Sequence, residues 1–173
     1  TPPLTAKVDD LITKIKENMS LKRLKFFTYG ENSIVSQYIH GEGNLGVLVT
    51  LEAKDAAVLA LDSVKEFAFD CALHVAAFSP LYLSIEDVDD DYIKEQSEIF
   101  LKQTKDLDKP EKVIEGIVKG KLNKHLSEIC LLEQPFVKDD SLSVKQALKA
   151  LSKEVNSELK ITSYLNFKVG VEG

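Results

Sequence analysis

The chain has 173 residues, 44% of them hydrophobic, with 22 Lys and Arg against 28 Asp and Glu and a formal net charge of -6. That length suits one large domain or one domain with an appendage, and the acidic balance favours solubility and carries no nucleic-acid footprint. No apolar run of roughly 18 residues is present and no basic stretch leads into an apolar one at the start, so neither a membrane-spanning helix nor a secretory signal is expected.

The chain opens on Thr1-Pro2-Pro3 without a methionine, which reads as a processed chain or a fragment. Val8, Leu11, Ile12 and Ile15 recur at helical spacing and predict a short amphipathic helix over Lys7–Glu17. Across Ser20–Tyr29 the period changes. Leu21, Leu24, Phe26 and Phe27 among lysines predict a strand with an imperfect alternation. Gly30-Glu-Asn-Ser is a turn signal. The stretch Tyr38–Leu51 follows, and the rest of the fold is expected to be built on it. Gly41-Glu-Gly-Asn44 supplies residues that tolerate positive φ, and Leu45-Gly-Val-Leu-Val-Thr-Leu51 is β-branched and nearly continuously apolar. A β-hairpin with a central, buried second strand is expected. It needs a cover of helices, because a lone hairpin is marginal in water.

A helical stretch from Val58 to Phe78 is apolar on more than one face and is the natural cover; Ser79-Pro80 ends it. Ser84-Ile-Glu-Asp87 has the spacing of an N-cap pair. The acidic run Glu86, Asp87, Asp89, Asp90 and Asp91 lacks the glycine of a calcium loop and suits a helix N-terminal turn better than a metal. Tyr92–Lys105 predicts a helix. Asp106–Pro110 breaks it, with Asp108 as N-cap of the next helix and Pro110 in that helix's first turn. Ile114, Val118, Leu122, Leu126 and Ile129 form the stripe of that second helix. Two narrow stripes joined by a short turn predict a projecting helical hairpin, an arm spanning residues 88–130. Gly116 and Gly120 weaken its second helix, and close helix approach is one reason for them to be there. Ser143 with Gln146 predicts another cap, Val144, Leu148, Leu151 and Val155 another amphipathic helix, and Leu159–Val169 a final strand. Cys71 and Cys130 each sit among apolar residues and are expected to be buried free thiols of a reducing compartment.

A shift of 140 residues superposes the two ends of the chain: Val8, Leu11 and Ile15 fall on Leu148, Leu151 and Val155, and Leu21, Leu24, Phe27 and Gly30 on Ile161, Tyr164, Phe167 and Gly170. The expected organisation follows from this echo. Residues 1–30 are the tail of one copy of a module packed on the body, and residues 31–173 are a full second copy. The fold class expected is α+β, a small antiparallel sheet of about three strands from Leu21–Thr28, the hairpin and Ile161–Lys168, covered on one face by helices.

Catalytic patterns are scarce. There is no P-loop, no metal-binding HExxH or CxxC, and no GxSxG; Gly41-x-Gly43-x-x-Gly46 precedes a strand and does not link a strand to a helix. His40, His74 and His125 are far apart in sequence, and His74 reads as a satisfied core histidine. Cys71 and His74 have the spacing of a thiol–imidazole pair, but nothing near them suggests an orienting group. The larger signals are surfaces, the arm and the sheet edge, which suit a binding module.

Several segments resemble bacterial-type elongation factor Ts. They are Tyr38-Ile-His-Gly41 with Leu45-Gly-Val-Leu-Val49; Ala72-Leu-His-Val-Ala-Ala77 with Ser79-Pro80; Lys109-Pro-Glu-Lys112; and Leu131-Leu-Glu-Gln-Pro-Phe-Val-Lys-Asp139. Ile15-Lys-Glu-Asn-Met19 is similar to a segment that closes a core subdomain in that family. The resemblance covers nearly the whole chain and implies guanine-nucleotide exchange on elongation factor Tu in the cytoplasm, with no cofactor and no catalytic side chain. It implies partner contacts for Tyr38, His40, Gly41, Asn44 and His74. The family's Thr-Asp-Phe-Val wedge reads Asp55-Ala56-Ala57-Val58 here, so its acidic and aromatic members are both alanine, and the family's N-terminal domain has no counterpart. The chain therefore resembles the carboxy-terminal core. The alternative is a homodimerisation module acting through the arm. A dimer cysteine of some family members falls on Leu165, which closes that covalent route. Phe69 and Asp70 replace positions that are basic in some members.

Overall fold

The computed structural model describes residues 3–104 and 109–170. They fall into two compact units, residues 3–28 with 169–170 and Tyr29–Lys168.

In the first unit, helix α1 spans Leu4–Ile15. It starts three residues before the expected position because Pro3, with φ -53 and ψ 148, stands at the N-cap and its carbonyl accepts from Lys7 N. It stops at Lys16, which is left-handed (φ 61) and donates its N–H to the Ile12 carbonyl. The strand expected over Ser20–Tyr29 is not there: residues 18–28 form neither helix nor strand. Alternating apolar residues make a strand only when a second strand takes up the backbone N–H and C=O groups, and no strand pairs with this segment among the described residues.

The second unit is α+β. Strand β1 (Ser33–His40) pairs antiparallel with β2 (Leu45–Ala53), from Ser33 opposite Glu52 to His40 opposite Leu45. The turn between them needs positive φ at Gly41 (61°) and Gly43 (89°), and glycine adopts both without strain. Strand β2 is central. Its other edge carries the last strand of the unit, residues 159–168, antiparallel from Leu45 opposite Lys168 to Ala53 opposite Leu159. Thr162 is the extra residue of a bulge between Thr50 and Leu51.

One face of the sheet buries Val47, Val49, Leu51 and Ala53. Their cover is α2 (Asp62–Phe78), which buries Val64, Phe67, Ala68, Cys71, Ala72, His74 and Val75. A fully buried valine or leucine contributes about 1.5–3 kcal/mol, so this layer dominates the unit's stability. The helix expected from Val58 is in two parts: a 3-10 turn over Ala56–Ala60, then α2, because Leu61 between them is extended (ψ 137). Both cysteines are buried and free.

The arm is α3 (Asp90–Thr104) and α4 (Glu111–Ile129), packed antiparallel with Tyr92 near the start of one against His125 near the end of the other. At its base the Leu81 and Tyr82 amides donate to the Ile129 carbonyl, and Val88, Leu126 and Cys130 form a separate small core. The proposed Asp108 cap lies outside the described residues. Pro110 takes the N-cap position itself, so α4 begins at Glu111, two residues later than a cap at Asp108 would place it. Gly116 and Gly120 do not serve close helix approach: a Cβ at either would meet nothing within 4 Å. Gly116→Ala and Gly120→Ala should each raise stability, by up to about 1 kcal/mol, through helix propensity alone. Urea unfolding of each variant checks this, and a loss of stability would show that the glycines serve the fold.

After α4 the chain makes a 3-10 turn over Leu131–Glu133 and a small hairpin that sequence patterning missed, β3 (Pro135–Phe136) with β4 (Asp139–Ser143). Helix α5 (Val144–Glu154) follows. Ser143 Oγ accepts from Gln146 N and Gln146 Oε1 accepts from Ser143 N, a full capping box. Ser84 and Asp87 form the same device on a 3-10 turn. The last strand, Leu159–Lys168, is β5. Lys16, Ser79 and Asn156 are the three non-glycine residues with positive φ among the described residues.

Candidate functional site

The hairpin tip gathers four of the expected site residues. Tyr38 and His40 are two apart on β1 and share one face, so their side chains meet: the Tyr38 hydroxyl lies 2.9 Å from His40 Nδ1. The Tyr38 ring stands edge-on to Phe69 of α2 at 6.0 Å between centroids, and 42% of Phe69 is exposed. Gly41 and Asn44 adjoin in the turn, where a Cβ on Gly41 would come 3.7 Å from Asn44 Nδ2. Beside Phe69, the Asp70 carboxylate accepts from Lys138 Nζ at 3.2 Å, which ties α2 to the turn between β3 and β4. Tyr38, His40, Phe69, Asp70 and Lys138 thus offer aromatic, imidazole and paired charged groups from three elements.

His74, the fifth expected residue, is fully buried and takes no part in that surface. It donates from Nε2 to Gln134 Oε1 at 2.8 Å, and its Nδ1 accepts from Val137 N at 3.1 Å, which together fix the neutral tautomer. Burial lowers its pKa, with the Gln134 bond opposing in part. Phe78 covers the ring at 4.6 Å. Both imidazole nitrogens are committed, so none is left to take a proton from Cys71, whose thiol burial and Asp70 push far up from its ordinary value. Thiol–imidazole chemistry has no support in this geometry.

Gln134 is the residue that sequence reading missed. It is buried, its Nε2 donates to the Glu128 carbonyl of α4, and its own carbonyl accepts from Val144 N at the start of α5. One side chain and its backbone therefore connect α2, α4 and α5. Only the buried-amide pairing rule would have flagged it, and its partner is 60 residues away.

The wedge position is a short turn. Asp55 Oδ1 accepts from Ala57 N and caps the 3-10 segment; Ala56 and Ala57 are exposed and Val58 is buried. The acidic stretch is divided between the Ser84–Asp87 box and the first turn of α3, and no group of three or more His, Cys, Asp or Glu is placed to hold a metal among the described residues. No helix among the described residues is long and apolar enough to cross a membrane.

The described residues form a mixed α+β body with a helical arm and an aromatic hairpin tip, and comparison with known proteins places the chain in a class of translation elongation factors. The model for the family described as Elongation factor TS matches residues 2–171. The chain belongs to the elongation factor Ts family. It is 48% identical over 171 residues to Elongation factor Ts of Treponema denticola, covering 99% of this chain and 61% of that protein. Against Elongation factor Ts of Borrelia hermsii the identity is 45% over 165 residues, 95% of this chain and 59% of the relative. Against that of Treponema pallidum it is 41% over 168 residues, 95% and 58%. The chain thus spans about three-fifths of the length of the curated relatives it matches.

Proposed function

We propose that this chain is the carboxy-terminal docking core of a guanine-nucleotide exchange factor for elongation factor Tu, acting in the cytoplasm by protein–protein contact. Residues 1–30 are the tail of a preceding copy of the core module, and residues 31–173, with the arm at 88–130, are the copy that docks. The observation that carries this is the family match over residues 2–171. Support in the geometry comes from the hairpin tip, where Tyr38, His40, Gly41 and Asn44 stand together beside the half-exposed Phe69.

An exchange factor works by differential binding: it favours the opened, nucleotide-free partner and shifts that population. An aromatic wedge makes such a preference strong, and at Asp55–Val58 the exposed side chains are Asp55 and two alanines. The chain should bind elongation factor Tu while accelerating GDP release weakly. Release of a fluorescent GDP analogue, measured beside direct binding, tests this. Release as fast as that driven by a full-length factor would overturn the docking-core reading. His40→Ala should weaken binding by about tenfold, the scale of one well-placed contact; unchanged affinity would remove the tip from the interface. The arm as a homodimer seam is the second reading, and sedimentation as a monomer at every concentration would rule it out.

A further inference from the structure

The body carries a recess of about 750 Å³ at the end of β2 remote from the hairpin tip. It lies between the Lys54–Asp55 segment that follows β2 and the last turns of α5 with Asn156–Glu158. Strand β2 separates it from the tip by roughly 25–30 Å, the rise of a strand of that length. Every lining residue belongs to the second unit.

Three lysines line it. Lys54, Lys149 and Lys153 are exposed, and none forms an ion pair among the described residues. This clustering runs against the chain's net charge of -6. Lys149 and Lys153 stand four apart on α5 and share one face, where like charges repel. Lys153, in the last turn, gains from the helix dipole; Lys149, a turn earlier, gains less. The two acids of the lining are already engaged: Asp55 Oδ1 accepts from Ala57 N, and Glu158 Oε1 accepts from Lys160 Nζ at 3.1 Å. Ser157 is the one buried residue of the lining, 8% exposed. Its Oγ accepts from Asp55 N at 3.0 Å, and its own hydroxyl proton meets no acceptor among the described residues. Cations without anions and a buried hydroxyl without an acceptor are answered by the same chemistry, oxygen acceptors from outside.

We propose that this recess docks an extended acidic segment of a partner protein, with Asp or Glu at alternate positions. Alternate residues of an extended chain are about 6.5–7 Å apart, and four residues of an α-helix rise about 6 Å. Two such carboxylates therefore match Lys149 and Lys153, a third meets Lys54, and the Ser157 hydroxyl donates to the segment between them. A phosphate group fits less well. The lining holds no arginine, and α5 brings its C-terminal, electronegative end to the recess. A nucleic acid would also face the chain's net charge of -6. The chain's own acidic run is a poor occupant for a second copy, since Asp87 is held in the Ser84 box and Asp90 and Asp91 are helical.

The test is amide NMR of the whole chain titrated with capped peptides of alternating Ser-Glu, of the same composition with the glutamates in one block, and of alternating Ser-Lys, and with a short single-stranded RNA. Saturable shifts are expected at Lys54, Asp55 and Lys149–Glu158 with alternating Ser-Glu, weaker with the block peptide and absent with Ser-Lys. Strand β1 should stay unmoved as the internal control. Added salt should weaken the binding, because the lysines are exposed. Lys149→Gln with Lys153→Gln should weaken it about tenfold, the scale of two exposed charge pairs. Absence of saturable shifts at millimolar peptide, equal binding of Ser-Lys or of the block peptide, or unchanged affinity in the lysine variant would each overturn the proposal. Tighter binding of the RNA at the same residues would overturn it in favour of a nucleic-acid surface, and a concentration-dependent dimer that shifts them without peptide would overturn it in favour of a second copy. The peptide comparisons use the unaltered chain and no elongation factor Tu, so their outcome is independent of the docking-core reading.

Discussion

His74→Ala is expected to lower the unfolding free energy by about 3–5 kcal/mol, because it empties a buried ring site and strands two hydrogen-bonding groups. The imidazole has no exposed surface, and its loss leaves Gln134 Oε1 and the Val137 N–H without their partners in the dry interior. Phe78, tilted against the ring with centroids 4.6 Å apart, loses its support as well. Since whole domains are stable by about 5–15 kcal/mol, the variant should be close to unfolding. Urea denaturation measures it, and a cost below about 1 kcal/mol would mean that water or a shifted Gln134 replaces the imidazole. The same residue sets a pH dependence. Burial holds its folded pKa below the ordinary value of about 6.5, so the unfolded chain takes up the proton first as pH falls. Stability from the neutral ring is complete above the unfolded value and declines as pH drops through it toward the folded one. That part of the acid sensitivity should vanish in His74→Ala, and an identical pH slope in both proteins would contradict it.

Leu51→Ala should cost about 2–5 kcal/mol, the range for truncating a large side chain in a packed core. Leu51 is fully buried on the central strand, opposite Ile34 on one side and Ile161 on the other, so neither neighbouring strand can move in without breaking its own ladder. The cavity should therefore remain, which puts the expectation toward the upper end of that range. Phe26→Ala is the contrast. Phe26 is larger but 86% exposed, and its removal should stay within about 0.5 kcal/mol. Paired urea curves give both numbers, and comparable losses would mean that Phe26 is packed in solution.

Local signals carried far in this chain. The glycines and asparagine between Tyr38 and Leu51 marked a hairpin, and β2 is central because its run of β-branched residues suits burial. The Ser143–Gln146 and Ser84–Asp87 spacings announced caps that the hydrogen bonds display. The failures share one cause, dependence on a distant partner. Leu21–Phe27 has the residue types of a strand, but a strand also needs a ladder. Gln134 looks like any surface glutamine until His74, Glu128 and Val144 are brought around it. Cys71 and His74 have suggestive spacing, yet Gln134 and Val137 occupy the imidazole. At the hairpin tip, the Tyr38–His40 contact follows from strand periodicity, whereas Phe69 joins it only because α2 crosses that end of the sheet.

The position of β5 in the sheet has a kinetic consequence. Its ladder with β2 joins residues as far apart as Leu45 and Lys168, and a fold closed by so long a loop forms slowly. During synthesis at about 5–20 residues per second, β2 emerges several seconds before the strand that covers its second edge. In that interval Val47–Leu51 can pair on one side only, with β1, and presents an apolar, unpaired strand to whatever is nearby. The nascent chain is therefore most open to chaperones, and to misassembly, before its last strand leaves the ribosome.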